Sequence, residues 1–213
     1  MTRVKFSFGA LEQSLAVGFR IPPDDFPKFR ARIKQLQRLG FPDGVNIGRG
    51  AKMPYSTEHL LKLGTAFALL DTGLTAKLVT ERVEGDWEKL AAGYWAARGT
   101  PRHSSDVFAL FHSNALGSSR EPDAVTIDDE FSKLNFEGAV ENGLAPTCYI
   151  VLNITRLMRR LLSSADKAAQ LANDFMELEI MGWRKKAPDF HPIGPGPDWY
   201  RIGQFDEDGV IKI

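Results

Sequence analysis

Cysteine is nearly missing from this chain. Cys148 is the single copy in 213 residues, which excludes an internal disulfide framework and points to a reducing compartment. It sits in the apolar run Cys148-Tyr149-Ile150-Val151-Leu152, where a small buried residue is expected rather than a nucleophile. Long apolar stretches are missing too. No hydrophobic leader follows the start, and no run approaches the ~20 residues of a membrane-spanning helix. The expectation is a soluble, cytoplasmic protein with no membrane partner.

Chemistry-bearing motifs are equally sparse. His59, His103, His112 and His191 lack metal-ligand spacing with one another or with Cys148. His59 lies in a first helical turn and is expected at the surface. Ser118-Ser119 and Asp128-Asp129-Glu130 form no local triad with a histidine. Gly194-Pro195-Gly196-Pro197 lacks the strand-to-helix setting of a phosphate loop. Asp206-Glu207-Asp208-Gly209 is too short for a calcium loop and reads as a turn. No catalytic residue, metal or cofactor is expected, and the chain is not read as an enzyme.

Net charge is zero, but its distribution is uneven. Residues 1–62 hold 11 Lys/Arg and 5 Asp/Glu, a net +6, and the remainder carries the balancing −6. Such asymmetry argues for an anionic partner at the amino-terminal end. The cations concentrate in one predicted helix that begins at Phe26 and stops at Gly40. Phe26, Phe29, Ile33, Leu36 and Leu39 recur at steps of three and four and give it an apolar face. Lys28, Arg32 and Gln35 fall at i, i+4 and i+7 on another face, flanked by Arg30, Lys34 and Arg38. Asp25 is placed to accept from the first-turn N–H groups, Pro27 is tolerated in that turn, and Gly40 suits a left-handed stop.

The residues around this helix suggest a winged helix-turn-helix. Ser7 caps a short helix carrying Phe8, Leu11 and Leu15, which Val17-Gly18-Phe19 ends. Ile21-Pro22-Pro23-Asp24 links it to the basic helix. Asp43-Gly44 then marks a turn, Val45-Asn46-Ile47 alternates like a strand, and Gly48-Arg49-Gly50-Ala51-Lys52 suits a cationic hairpin tip returning through Met53-Pro54-Tyr55. Ser56 is placed to cap a strongly apolar helix over 57–71, Thr75 a further one, and Trp87, Leu90, Ala91, Tyr94 and Trp95 mark another. Gly99-Thr100-Pro101 reads as a linker.

The second half changes character. Strands are predicted at 107–111, 124–127 and 147–154, the last passing into a helical pattern that continues to Met181. A terminal hairpin is predicted from 200–205 and 210–213. The expected class is α+β: a helical winged helix-turn-helix domain over residues 1–99, then a smaller α+β assembly or effector domain over 104–213.

Residues 26–84 resemble the DNA-binding head of the MerR family of winged helix-turn-helix regulators. The resemblance is carried by Ile33-Lys34 through Arg38-Leu39-Gly40-Phe41-Pro42, Arg49-Gly50-Ala51-Lys52-Met53-Pro54-Tyr55-Ser56, Leu60-Leu61-Lys62-Leu63 through Leu69-Leu70, and Gly73-Leu74. The connection over 18–24 is longer than the family's tight turn. Gln35-Leu36 stands where the family has an aromatic pair, and the long dimerisation helix is not evident. The resemblance implies double-stranded DNA as partner and transcription regulation as role. Lys28, Arg32 and Gln35 would face the groove, Arg30, Lys34 and Arg38 the phosphates, and Arg49 and Lys52 would form the wing. Tyr55 either donates to a phosphate or closes the wing against the core, packing being favoured. A homodimer is expected, with Leu161, Leu162, Ala168, Leu171 and Phe175 as its interface; packing of that helix on its own sheet is the alternative. The competing function is a protein-interaction adaptor on a winged helix without DNA binding.

Overall fold

The computed structural model describes residues 4–45, 54–99, 106–112, 125–128, 149–169, 173–183, 204–205 and 211–212. Five helices come first. In α1 (Phe8–Phe19), Ser7 Oγ accepts from the N–H of Ala10 at 3.2 Å, as a capping residue should. The helix ends at Arg20, which adopts the left-handed conformation (φ 55°) and donates its N–H to Ala16 and Val17. Val17-Gly18-Phe19 forms the end of the helix as its sequence predicts. A single 3-10 turn (Pro23–Asp25) leads into α2 (Phe26–Arg38), which closes before Gly40 at φ 82°. Asp25 does not cap α2; its carboxylate takes Lys28 Nζ at 2.8 Å. The helices α3 (Thr57–Leu70), α4 (Ala76–Gly85) and α5 (Trp87–Gly99) follow, the first two capped by Ser56 and Thr75 as their sequences predict.

The second half has strands β1 (Phe108–His112), β2 (Val125–Asp128) and β3 (Tyr149–Asn153), then α6 (Ile154–Ala169), α7 (Asn173–Met181), β4 (Gln204–Phe205) and β5 (Ile211–Lys212). The three-stranded sheet is antiparallel in the order β2-β1-β3, with Ala109 opposite Ile127 and Leu152. The terminal pair is antiparallel too, Gln204 opposite Lys212. The class is α+β. Where one helix was expected to run through to Met181, α6 and α7 are two. Among the described residues no helix is long and apolar enough to cross a membrane.

The boundary near residue 100 does not separate two cores. One cluster of buried side chains runs from Phe6, Leu11, Leu15, Ile33 and Leu60 to Phe111, Ile154, Leu161, Met176 and Trp183. The physical reason is the composition of the first half: α1 and α3 are apolar around much of their circumference, and α6 covers what they leave open. Polar groups stitch the join. Val107 donates its N–H to Thr155 Oγ1 at 2.8 Å and accepts from the Ile154 N–H at 2.9 Å. Asp106 accepts from Asn153 and Arg156, and these bonds, the Asn153 one foremost, hold its carboxyl below the usual range. At the other end, Trp183 meets Trp87 of α5 edge-on, ring centres 5.8 Å apart.

Leu161 fixes the approach of α6. Its two methyl groups sit over two glycines, Gly18 of α1 and Gly64 of α3. A methyl group at Gly18 would come within 2.9 Å of Leu161 Cδ2, and one at Gly64 would overlap Cδ1. Turning away from one glycine drives Leu161 toward the other. Gly64→Ala should therefore destabilise the chain despite a helix-propensity gain of up to ~1 kcal/mol, because overpacking costs ~1–3 kcal/mol. Leu161→Ala alone should cost about 2–5 kcal/mol. Urea denaturation of the double variant should show a loss smaller than the sum of the two, since each change relieves the other.

Candidate nucleic-acid interface

Helix α2 lies on the core through Phe29, Ile33 and Leu36, which are buried, while Lys28, Arg30, Arg32, Lys34, Gln35 and Arg38 are exposed. Their environments differ by row. Arg30 and Gln37, seven residues apart and so on one flank, point back into the protein. Arg30 makes a two-pronged pair with Glu12 of α1, both nitrogen–oxygen distances being 2.6 Å. The Glu12 side chain is only 11% exposed against 56% for Arg30. Gln37 Nε2 donates to the Tyr55 hydroxyl at 2.6 Å. This flank is fastening.

The opposite flank carries Lys28, Arg32, Gln35 and Leu39 at steps of four, three and four, all exposed, and Lys34 and Arg38 point straight outward. Lys28 pairs with Asp25 but remains 82% exposed, so a polyanion can compete for it at little cost. Among the described residues no ion pair holds Arg32, Lys34 or Arg38. The groove-facing trio drawn from the sequence thus shares one exposed row. Arg30, expected among the phosphate contacts, differs from its neighbours in that its guanidinium is engaged by a nearly buried carboxylate.

Tyr55 packs against the core, the alternative that the sequence favours. It is buried, its backbone pairs with Phe6 in an antiparallel bridge (2.7 and 3.0 Å), and its ring packs against Phe8 and His59. Burial pushes its phenol above the ordinary range, against the lowering effect of Gln37. It closes the core at the foot of the return arm. Arg49 and Lys52, assigned to the wing tip, lie outside the described residues.

The turn after α2 is anchored from below. Glu84 of α4 accepts from the backbone N–H of Asp43 at 2.9 Å and pairs with Lys62 of α3. The Lys62 side chain is 7% exposed, lies 3.7 Å from Glu58 and stands 5.2 Å from the Trp87 ring centre. From α7, Glu179 accepts from Thr57 Oγ1 at 2.8 Å and from the N–H of Val4 at 3.3 Å. Sequence reasoning missed Glu12, Glu84 and Glu179, because each acts from one element onto another. The local signal it passed over was Ser56 followed three residues later by His59, the spacing of a capping box.

The proposed dimer face is partly spoken for. Leu161 and Leu162 are buried rather than available to a partner, Leu161 over Gly18 of α1 and Gly64 of α3. Apolar spacing cannot tell an internal partner from an external one. Ala168 is half-buried, Leu171 lies outside the described residues, and Phe175 is 59% exposed beside Leu178 at 49%.

No family model, curated protein or solved structure matches the chain.

Two substitutions separate fastening from display. Arg30→Ala should lower the denaturation midpoint by leaving Glu12 unpaired, whereas Arg32→Ala should leave it in place. Lys62→Met should cost about 3 kcal/mol, the low end for removing one partner of a buried pair, because it leaves the Glu84 carboxylate without its ammonium. Chemical denaturation of each variant checks both.

Proposed function

We infer that the chain is a sequence-specific double-stranded DNA-binding regulator, built as a MerR-like winged helix-turn-helix, with α2 in the major groove. The observation that carries this reading is the exposed row of Lys28, Arg32 and Gln35, backed by Lys34 and Arg38, on a helix whose apolar face is locked to the core. A rigid helix with a free cationic side can position itself on phosphates and reach base edges, whereas a mobile one loses affinity to ordering. Arg32 supplies the two-pronged donor that fits a guanine edge, and Gln35 the amide that fits adenine. The amino-terminal excess of +6 supplies the sequence-independent part of the attraction. The order of elements supports the same reading: helix α1, basic helix α2, and a return arm at Tyr55 that pairs with Phe6 before α3.

Regulators of this design bind as two-fold pairs on inverted repeats, and the pair is part of the reading. Its contact would use exposed positions such as Phe175 and Leu178 rather than Leu161 and Leu162.

One observation favours an adaptor that grips protein instead. Leu39, at the end of the Lys28–Arg32–Gln35 row, is 48% exposed, and Phe26 at the start of α2 is 40% exposed. Apolar residues bordering an exposed helical row also suit a protein partner.

Salt distinguishes the two. In fluorescence anisotropy on fragmented genomic DNA from the source organism, a DNA reader's affinity should fall with salt by about 0.9 log units per neutralised phosphate per log unit of salt. The triple variant Lys28→Ala, Arg32→Ala, Gln35→Ala should lose fragment selectivity, and Lys34→Ala with Arg38→Ala should flatten the salt slope by about two phosphates' worth. Arg30→Ala should leave that slope unchanged. Binding no tighter than to random DNA would move the assignment to the adaptor.

A further inference from the structure

His59 stands where the two ends of the basic helix's following segment come together. On the return side, its Nδ1 accepts from the backbone N–H of Ser56 at 3.2 Å, while its own N–H donates to Ser56 Oγ at 3.3 Å. These are the two halves of a capping box in which imidazole replaces the usual Glu or Gln. On the outgoing side, the backbone of Asp43, in the turn after α2, favours a proton on the ring. With Nδ1 accepting, the proton of the neutral ring belongs on Nε2. One imidazole therefore bonds the backbone of Ser56 and lies within the influence of the Asp43 backbone.

A ring in this position is sensitive to its second proton. Protonation places a hydrogen on Nδ1, turns the acceptor for Ser56 into a donor, and leaves donor facing donor. We propose that His59 is a proton-operated catch: neutral, it holds the start of α3 and the adjoining Tyr55 to the turn after α2, and protonated, it releases Ser56. Ser56 follows Tyr55, whose ring lies 5.9 Å from the imidazole, whose backbone pairs with Phe6 and whose hydroxyl takes Gln37 of α2. The catch is thus one residue from the contacts that seat the basic helix.

The charges around the ring come from three elements. Glu58 and Lys62 lie on α3 itself, Glu84 reaches in from α4, and the Asp43 carbonyl belongs to the turn after α2. Burial is the largest influence and lowers the imidazole below its ordinary range; Lys62 lowers it further, while Glu58, Glu84 and Asp43 work against both. The folded state therefore favours the neutral ring. Below pH of about 6.5 the unfolded chain binds more protons than the folded one. Stability that is complete above that pH is lost as pH falls toward the lowered folded value, so acid opens the catch.

Nuclear magnetic resonance of the isotope-labelled 213-residue chain tests this directly. At pH 7.5, long-range proton–nitrogen correlations should show His59 with a bare Nδ1 and a protonated Nε2. On acidification, the Ser56 amide should shift upfield and lose exchange protection with the same midpoint as the His59 ring. His59→Gln, whose amide oxygen can accept the same N–H, should keep Ser56 protected at pH 5.5 while Glu58, Glu84 and Lys62 remain in place. A proton on Nδ1 at pH 7.5, a Ser56 amide indifferent to ring titration, or a His59→Gln chain that repeats the wild-type transition would each overturn the catch. The ring tautomer and the Ser56 response in the unaltered chain decide the matter even if the variant folds poorly. None of these readings depends on whether α2 binds DNA.

Discussion

Leu161 on two glycines is the contact from which the rest of the structure hangs. Gly18 and Gly64 remove the side chains that would otherwise keep α6 at a distance from α1 and α3. Close approach lets α6 act as a floor for both helices, and the floor is continuous with the sheet, because β3 passes directly into it. Thr155, at the start of α6, is fully buried and ties the backbone just before β1 to that floor. The same helix therefore organises the core on both sides of residue 100. Interiors pack at near-crystalline density and transmit displacement. A shift of α6 by a fraction of an ångström would consequently be felt in α1, and through Glu12 and Arg30 in the setting of α2.

Carboxylates do most of the long-range fastening. Glu12, Glu84 and Glu179 each reach from one element to another, and each accepts at least one hydrogen bond in a partly buried setting. A half-buried carboxylate with partners is worth more than an exposed ion pair and costs more when its partner is removed. This sorting explains why the six cations and amides of α2 assigned to an anion do not behave alike. Arg30 faces a carboxylate that water reaches poorly. Arg32, Lys34, Gln35 and Arg38 face solvent, and Lys28 faces a carboxylate it can exchange for another anion. Display and fastening alternate around a single helix because its 3.6-residue period brings different sides to different neighbours.

Much of the architecture was written locally. The starts of α1, α3 and α4 were legible from Ser7, Ser56 and Thr75, since a cap needs only residues within one turn. The core face of α2 was legible from Phe29, Ile33 and Leu36, and the three strands of the main sheet from their short runs rich in apolar and β-branched residues. The roles of Gly18, His59 and Leu161 were not legible. A glycine at the end of a helix reads only as part of its stop unless the atom that passes over it is known, and Leu161 is distant in sequence. His59 reads as a surface residue until Asp43 and Ser56 are brought to opposite sides of it.

What the sequence alone determined is the starts of α1, α3 and α4, the basic amino-terminal bias and the outward row of Lys28, Arg32 and Gln35. These follow from caps within one turn, from composition and from the 3.6-residue period. Only the tertiary structure decided that Glu12 pairs with Arg30 and Gln37 with Tyr55, that Leu161 and Leu162 face inward, and that one core serves both halves. The reason is physical: periodicity states that a face is apolar or charged, while its partner is fixed by three-dimensional packing between different elements.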